Sequence, residues 1–207
     1  SDAPTVRSDD NIIATVVEVA DAAVVSSADV TGGEDTAIAL DVSAQVADVS
    51  DTISNITISG VPEGAELSAG TDNGDGNWTL TAGQLDGLTI TPAENDDADF
   101  ELVISVTTVD GASSAQTASA FSVTVTGVAD TPIVDVSNAE GIQAFPIDLD
   151  ITVSVSDTSE TISDIVISGV PEGATLSAGT DNGDGTWMLT TGQLDGLTIT
   201  TLDGHAD

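Results

Sequence analysis

The feature that most constrains the fold of this chain is an internal repeat with a long period. Residues 52–91 and 161–200 align without gaps at an offset of 109 positions, and 34 of the 40 aligned positions carry the same residue. The period is close to the length of one β-sandwich domain of about 100 residues and exceeds a solenoid unit of roughly 20–50 residues. Each repeat is therefore expected to enclose its own hydrophobic core.

The same offset sets the domain boundaries. Val19-Ala20-Asp21 aligns with Val128-Ala129-Asp130, outside the nearly identical block. The chain is therefore interpreted as three parts: the terminal strand of a preceding repeat (1–18), a complete β-sandwich repeat (19–127), and a partial repeat that lacks its last two strands (128–207).

Apolar residues alternate with Ser and Thr along most of the complete repeat, which is the period-two pattern of half-buried strands. The pattern predicts strands at 24–26, 36–42, 53–59, 65–69, 77–81, 88–91, 100–109 and 117–126. Turn residues lie between these runs at 32–33, 61–64, 72–76 and 110–111, and one helical turn is expected within 82–87. The predicted fold class is all-β, with antiparallel β-sandwich domains arranged end to end.

Charge excludes two classes of partner. The chain has 36 Asp and Glu residues against a single Lys or Arg, for a formal net charge of -35. Phosphate recognition needs basic side chains, so neither nucleic acid nor an anionic membrane surface is an expected partner. No apolar run reaches membrane-spanning length, so no membrane insertion is predicted for this segment. The absence of cysteine and lysine also excludes disulfide and Lys–Asn cross-links.

Several phrases are specific enough to indicate a family: 33–40 (GEDTAIAL), 58–65 (ISGVPEGA), 72–80 (DNGDGNWTL) and 126–130 (TGVAD). In this order they resemble the cadherin-like tandem repeats of giant bacterial surface adhesins, including those with RTX-type export regions. The resemblance implies Ig-like or cadherin-like sandwiches strung end to end outside the cell, with calcium at the junctions. Such repeats extend a terminal binding domain away from the surface, and their partners are neighbouring repeats.

Acidic residues recur in loops at the ends that neighbouring repeats would present to each other. Calcium takes six to eight oxygen ligands, and no nearby lysine or arginine can offset the repulsion between these carboxylates. The alternative is a solvated acidic surface. The predicted Ca²⁺ ligands are Asp96, Asp97, Asp99, Asp130, Asp157 and Glu160 at one junction, and Asp21, Asp48, Asp51 and Asp110 at the upstream one. The second repeat departs from the Glu34-Asp35 phrase, so a ligand role there is not shared by both copies.

Three smaller features have competing interpretations. The loop Asp72 to Asn77 lacks the ligand spacing of an EF-hand and is better explained as a glycine-rich hairpin turn. Trp78 and Trp187 occur once per repeat, and alternation with Leu80 favours a core position over a sugar-stacking one. His205 is the only histidine. We interpret it as a solvated loop residue, which is a simpler explanation than a role as a metal ligand.

No nucleophile, base and orienting group can be assembled on the strand pattern, so an enzyme is not expected. The preferred hypothesis is a structural extender of an adhesin. The alternative is an extracellular filament subunit, in which residues 11–17 of one copy complete the partial repeat of the next by strand donation; the partial repeat is also explained if the chain is a window of a longer polypeptide. A carbohydrate- or ice-binding module is the third hypothesis.

Overall fold

A computed structural model of the chain describes residues 19–202. The predicted terminal strand over 1–18 and His205 lie outside the described residues. Two compact units are present, and their described parts are residues 19–32, 36–93 and 98–125 for the first and residues 33–35, 94–97 and 126–202 for the second. No helix among the described residues is long and apolar enough to cross a membrane.

Short antiparallel strands build the first unit, as the period-two pattern predicts. A single 3₁₀ turn, Ala82–Gln84, confirms the helical turn expected within 82–87. The strands are β1 (Val24–Ser27), β2 (Val30–Gly33), β3 (Ile38–Ala39), β4 (Val42–Gln45), β5 (Thr52–Ser59), β6 (Glu66–Leu67), β7 (Thr71–Asp72), β8 (Asn77–Leu80), β9 (Thr89–Thr91), β10 (Phe100–Asp110) and β11 (Ser113–Thr126).

The strands of the first unit form a sandwich-type arrangement. One sheet has six strands in the order β2-β11-β10-β5-β8-β7, and smaller sheets are formed by β3-β9-β6 and β1-β4. Residues from the different sheets share one core cluster: Ile56 and Ile104 from the large sheet pack with Ile90 from β9. The predicted all-β sandwich class is confirmed.

Alternation along β10 places Leu102, Ile104 and Val106 in the core with no exposed surface. Thr108 continues the same face and is also fully buried, although it is polar. Its Oγ1 donates a hydrogen bond to the backbone carbonyl of Asp21. The hydroxyl therefore ties the end of β10 to the segment that precedes β1.

Two local predictions are wrong. The run 36–42 does not form one strand, because Ile38 pairs with Ile90 in β9 whereas Val42 pairs with Ser27 in β1, so the chain changes sheets between them. The glycines at 32–33 end strand β2 rather than forming a turn.

The second unit repeats part of this arrangement with its own core, which includes Leu176, Trp187, Leu189 and Leu197. Its strands are β12 (Ile133–Val136), β13 (Ile147–Asp148), β14 (Ile151–Ser154), β15 (Ile165–Ser168), β16 (Thr175–Leu176), β17 (Thr180–Asp181), β18 (Thr186–Leu189) and β19 (Thr198–Thr200). They form the sheets β12-β14, β13-β19-β16 and β15-β18-β17. The 3₁₀ turn recurs at Thr191–Gln193.

Candidate metal centre

The same backbone-to-carboxylate hydrogen bond occurs at equivalent positions of the two repeats. In the first unit the Asp21 N–H donates to Asp51 Oδ2 at 3.0 Å. In the second unit the Asp130 N–H donates to Glu160 Oε1 at 2.5 Å. In each pair the donor and the acceptor are 30 positions apart in the sequence, and each residue of the second pair lies 109 positions after its counterpart in the first. The geometry therefore persists although Asp51 is replaced by the longer Glu160.

A short turn places each of these acids. Asp48 Oδ1 accepts hydrogen bonds from the backbone N–H and hydroxyl of Ser50, immediately before Asp51. Asp157 likewise accepts from the N–H of Ser159 at 2.7 Å and from its hydroxyl at 2.6 Å. The Ser50 bonds, led by the backbone one, lower the pKa of Asp48, and the Ser159 bonds, led by the side-chain one, lower the pKa of Asp157. Both aspartates are thus engaged within their own turns.

Each acid that follows such a turn keeps one buried oxygen without a hydrogen-bond partner in the described part of the chain. These oxygens are Asp51 Oδ1 and Glu160 Oε2, and Asp51 is only 5% exposed. A buried carboxylate oxygen that lacks a partner is costly unless a cation lies beside it. Residues 19–202 contain no lysine, arginine or histidine that could provide one.

Glu34 is a third buried carboxylate of this kind and belongs to the second unit. Its side chain is 1% exposed; Oε1 accepts a hydrogen bond from the Val128 N–H at 2.6 Å, and Oε2 has no partner among residues 19–202. The Glu34 N–H also donates to the Thr126 carbonyl at 3.1 Å. Two bonds to neighbouring backbone thus hold this acid against the segment 126–128.

Gly127 lies between two acids of the second unit. A Cβ atom at this glycine would lie 3.4 Å from Asp97 Oδ2 and 3.7 Å from Glu34 Oε1. The space belongs to a cavity of about 550 Å³ whose lining includes five acids: Glu34, Asp97, Asp130, Glu160 and Asp164. The missing side chain at Gly127 thus keeps a cradle open beside carboxylate oxygens.

The acids surround this cavity without forming a closed coordination shell. Within residues 19–202, no three Asp, Glu, His or Cys side chains converge closely enough to hold a metal ion. The donor set still fits calcium, because calcium accepts carboxylate, backbone carbonyl and water oxygens in flexible geometry. Glu34, Glu160 and Asp130 of the second unit, and Asp51 and Asp21 of the first, are the residues that would contribute to such sites.

The predicted ligands are therefore only partly brought together. Asp97, Asp130 and Glu160 line the cavity, and Asp21 and Asp51 share a hydrogen bond. Three further ligands predicted for this junction do not line the cavity. Asp99 Oδ1 accepts a hydrogen bond from the Val125 N–H at 2.9 Å in the first unit, Asp157 accepts hydrogen bonds within its own turn, and Asp96 of the second unit lies outside the lining. Of the ligands predicted upstream, Asp48 accepts hydrogen bonds within its turn and Asp110 ends β10.

Glu34 lines the cavity but is not in the predicted ligand set. The equivalent position of the second repeat is Gln143, so comparison of the copies argued against a shared role. The signal in the sequence was an acid placed directly after Gly33 and before Asp35. In the structure Asp35 adopts a left-handed backbone conformation with φ 57°. The Asp35 carboxylate then accepts from the Asn95 N–H at 2.9 Å, which fixes the loop that carries Glu34.

Comparisons of the chain with protein-family models, with curated proteins and with solved structures find no match.

Proposed function

We propose that this chain is a run of structural extender repeats from a bacterial cell-surface adhesin, stiffened by calcium and without enzymatic activity. Two sandwich-type units related by a 109-residue period, each with its own core, support a role in which length is gained by repetition. The adhesin class and the extracellular location rest on the resemblance of the repeat phrases to cadherin-like repeats.

One observation carries the calcium part of the proposal. Glu34 and Glu160 each bury a carboxylate oxygen that has no partner within residues 19–202, and both line one cavity of the second unit. Two unit charges about 4 Å apart repel by roughly 1 kcal/mol in water and by about 4 kcal/mol near a protein surface. Since no basic side chain is present in this range, a divalent cation is the simplest source of compensation.

Calcium bound there would supply the positive charge that the sequence lacks. The residues of the chain have the other tasks: the Val128 N–H orients Glu34, the Asp130 N–H orients Glu160, and Gly127 leaves room between the acids. Because the ligands come from distant parts of the sequence, an ion held by them restrains the segment 126–130. This restraint is the proposed origin of stiffness.

Thermal unfolding tests the proposal. Extracellular calcium modules bind with Kd on the order of 10⁻⁴ to 10⁻³ M. At a hundredfold excess over Kd, a ligand specific for the folded state stabilises it by about 2.7 kcal/mol. Each kcal/mol raises Tm by roughly 4–8 °C for a domain of this size. About 10 mM calcium should therefore raise Tm over an EDTA-treated sample by roughly 10–20 °C if Kd is near 10⁻⁴ M, and by roughly half as much if Kd is near 10⁻³ M.

A matched variant separates specific binding from general screening of the net charge. In Glu34→Gln/Glu160→Gln the calcium-induced rise in Tm should largely vanish, whereas Glu66→Gln/Glu101→Gln, which removes two exposed acids, should keep it. Small-angle scattering of the wild-type chain should show a longer, stiffer particle with calcium than with EDTA. Equal melting and equal scattering in both conditions would reject the proposal.

A second candidate is a filament subunit assembled by strand donation. The feature that favours it is the edge strand β15, which among residues 19–202 pairs only with β18, whereas its counterpart β5 lies between β8 and β10. Val166 in β15 is 58% exposed. This candidate expects polymers of the isolated chain that disappear when residues 1–18 are deleted. A chain that stays monomeric at high concentration in light scattering argues against it.

A further inference from the structure

Each unit contains a cavity beside its glycine-rich hairpin, and the two cavities have the same lining. The first, of about 530 Å³, includes Pro62, Glu63, Asp72, Asp75 and Trp78. The second, of about 430 Å³, has the identical residue at every equivalent position, including Glu172, Asp184 and Trp187. The six substitutions between the aligned segments all fall outside this lining. The cavity is thus a repeated feature of the fold.

Backbone packing builds these cavities. Val61 N donates to the Gly76 carbonyl at 3.2 Å, and a Cβ atom at Gly76 would lie 2.5 Å from Val61 O. Gly76 also has φ 71°, a conformation that favours glycine. Asp72 Oδ1 accepts from the Gly74 N–H at 2.8 Å, and this bond recurs between Asp181 and Gly183. The turn is therefore fixed in both units, and so are the positions of the acids on it.

The side chains that line the cavity are of two chemical kinds. Glu63, Asp72 and Asp75 provide hydrogen-bond acceptors and negative charge, and Trp78 and Pro62 provide flat apolar surface. The lining contains no side-chain cation and no amide. Three carboxylates without a side-chain cation favour a positively charged ligand over a neutral one, and an indole offers a metal ion no ligand. A planar organic cation satisfies both kinds of surface, since a guanidinium stacks on aromatic rings and donates to carboxylates.

The tryptophans support this assignment. Trp187 is 9% exposed, and Trp78 is partly buried against the core cluster of the first unit. Each indole thus packs on the core while also forming part of a cavity wall. An aromatic ring held in this way loses little conformational entropy when a ligand stacks on it. We propose that both cavities bind guanidinium-type organic cations, either as free small molecules or as arginine side chains of a peptide.

The two cavities differ in the hydrogen bonds that Asp184 and its counterpart Asp75 accept. Asp184 Oδ1 already accepts hydrogen bonds from the N–H and the hydroxyl of Thr186. At the equivalent place in the first unit, Asn77 Nδ2 donates to the backbone carbonyl of Asp75 at 3.0 Å, so Asn77 does not occupy the Asp75 carboxylate. The first cavity therefore binds the cation more tightly than the second.

The chain contains its own probes for this binding. It has two tryptophans and no tyrosine, so each cavity has a separate indole signal. The experiment titrates ¹⁵N-labelled chain with methylguanidine in EDTA and follows the two indole N–H resonances, which Trp78→Phe and Trp187→Phe assign. Both should shift saturably, with the lower Kd at Trp78. Sodium chloride at matched ionic strength should leave them in place.

Variants of the acids complete the test. Glu63→Gln/Asp75→Asn should weaken binding at Trp78 by about tenfold or more and leave Trp187 unchanged. Asparagine tolerates the left-handed φ of 54° at position 75, so the turn is preserved. Glu66→Thr introduces the residue that the second repeat has at position 175, outside the cavity, and should have no effect.

The source of the cation is resolved by a second titration with a blocked Gly-Arg-Gly peptide. Tighter binding than methylguanidine indicates a peptide partner, and equal binding indicates that the free cation suffices. The proposal is overturned if the shifts are linear without saturation, if the double variant responds like wild type, or if calcium chloride, added without EDTA, saturates the indole shifts while methylguanidine does not. The methylguanidine titration is made in EDTA, so its result does not depend on the calcium binding proposed for the extender role.

Discussion

Glu34 accepts a hydrogen bond from the backbone N–H of Val128 through Oε1 at 2.6 Å, and its second oxygen is buried with no partner among the described residues. The bond joins positions 94 residues apart in the sequence. It explains why an acid with almost no exposed surface is tolerated at this place: one oxygen holds the backbone of the segment 126–128, and the other remains available to a cation.

Glu34→Gln tests whether the charge of Glu34, or only its hydrogen bond, determines the stability of the fold and its affinity for calcium. The amide keeps an acceptor for the Val128 N–H but removes the buried charge. Without calcium we expect the variant to be more stable than wild type by about 1 kcal/mol, because an uncompensated charge is costly to bury. With calcium we expect about tenfold weaker binding, because fewer charged ligands face the ion. Urea unfolding and calorimetry measure the two effects, and equal destabilisation in both conditions would indicate a purely structural role.

Gly127→Ala should separate calcium binding from folding. The added Cβ would make contacts of 3.4 Å to Asp97 Oδ2 and 3.7 Å to Glu34 Oε1, which lie within or close to ordinary van der Waals distances. We therefore expect less than about 1 kcal/mol of change in calcium-free stability, together with a clear loss of calcium affinity because a methyl group occupies the cradle. Gly83→Ala, where a Cβ meets nothing within 4 Å, is the control. Unchanged calcium affinity in Gly127→Ala would place the ion elsewhere.

Thr108→Val addresses the buried hydroxyl of the first unit. Thr108 has no exposed surface, and its Oγ1 donates to the carbonyl of Asp21, the residue whose N–H binds Asp51. Valine has the same shape but leaves that carbonyl without its donor, so we expect a loss of about 1–3 kcal/mol in the free energy of unfolding. Thr107→Val, one position away on the other face of β10, should change stability by less than about 0.5 kcal/mol. Similar losses in the two variants would show that strand propensity, and not the hydrogen bond, is responsible.

Much of the fold could be predicted because the strand pattern is regular. Alternation placed Leu102, Ile104 and Val106 on one face of β10, and Asp110-Gly111 marked the hairpin to β11, as the structure has them. The predicted core position of tryptophan is confirmed for Trp187, which is 9% exposed. The pattern could not reveal that the chain changes sheets within 36–42, because the alternation of the buried residues Ile38, Leu40 and Val42 is unbroken and only strand pairing divides it.

The candidate site was less predictable because charge patterns do not show which acids are already engaged. The carboxylate of Asp99, a predicted ligand, accepts the Val125 N–H in the first unit and does not line the cavity. Asp157, also a predicted ligand, accepts hydrogen bonds from Ser159 on both of its oxygens. Asp130 and Glu160, predicted at the same junction, share a hydrogen bond and line one cavity. Burial of single oxygens is a tertiary property that no sequence pattern reports.

The last prediction concerns pH and the second cavity. The Thr186 hydroxyl, followed by the Thr186 N–H, donates to Asp184 and lowers the pKa of this carboxyl below its usual value. A carboxyl with a lowered pKa in the folded state contributes stability above the unfolded-state pKa, and the contribution is lost as the pH falls through the folded-state pKa, here below about pH 4. Thr186→Val removes the leading donor, so the pKa of Asp184 should rise toward its ordinary value in a carboxyl ¹³C NMR titration. The matched variant Thr175→Val, in β16, should leave it in place, and a pKa of Asp184 that does not move in Thr186→Val would mean that the Thr186 hydroxyl does not hold the charge.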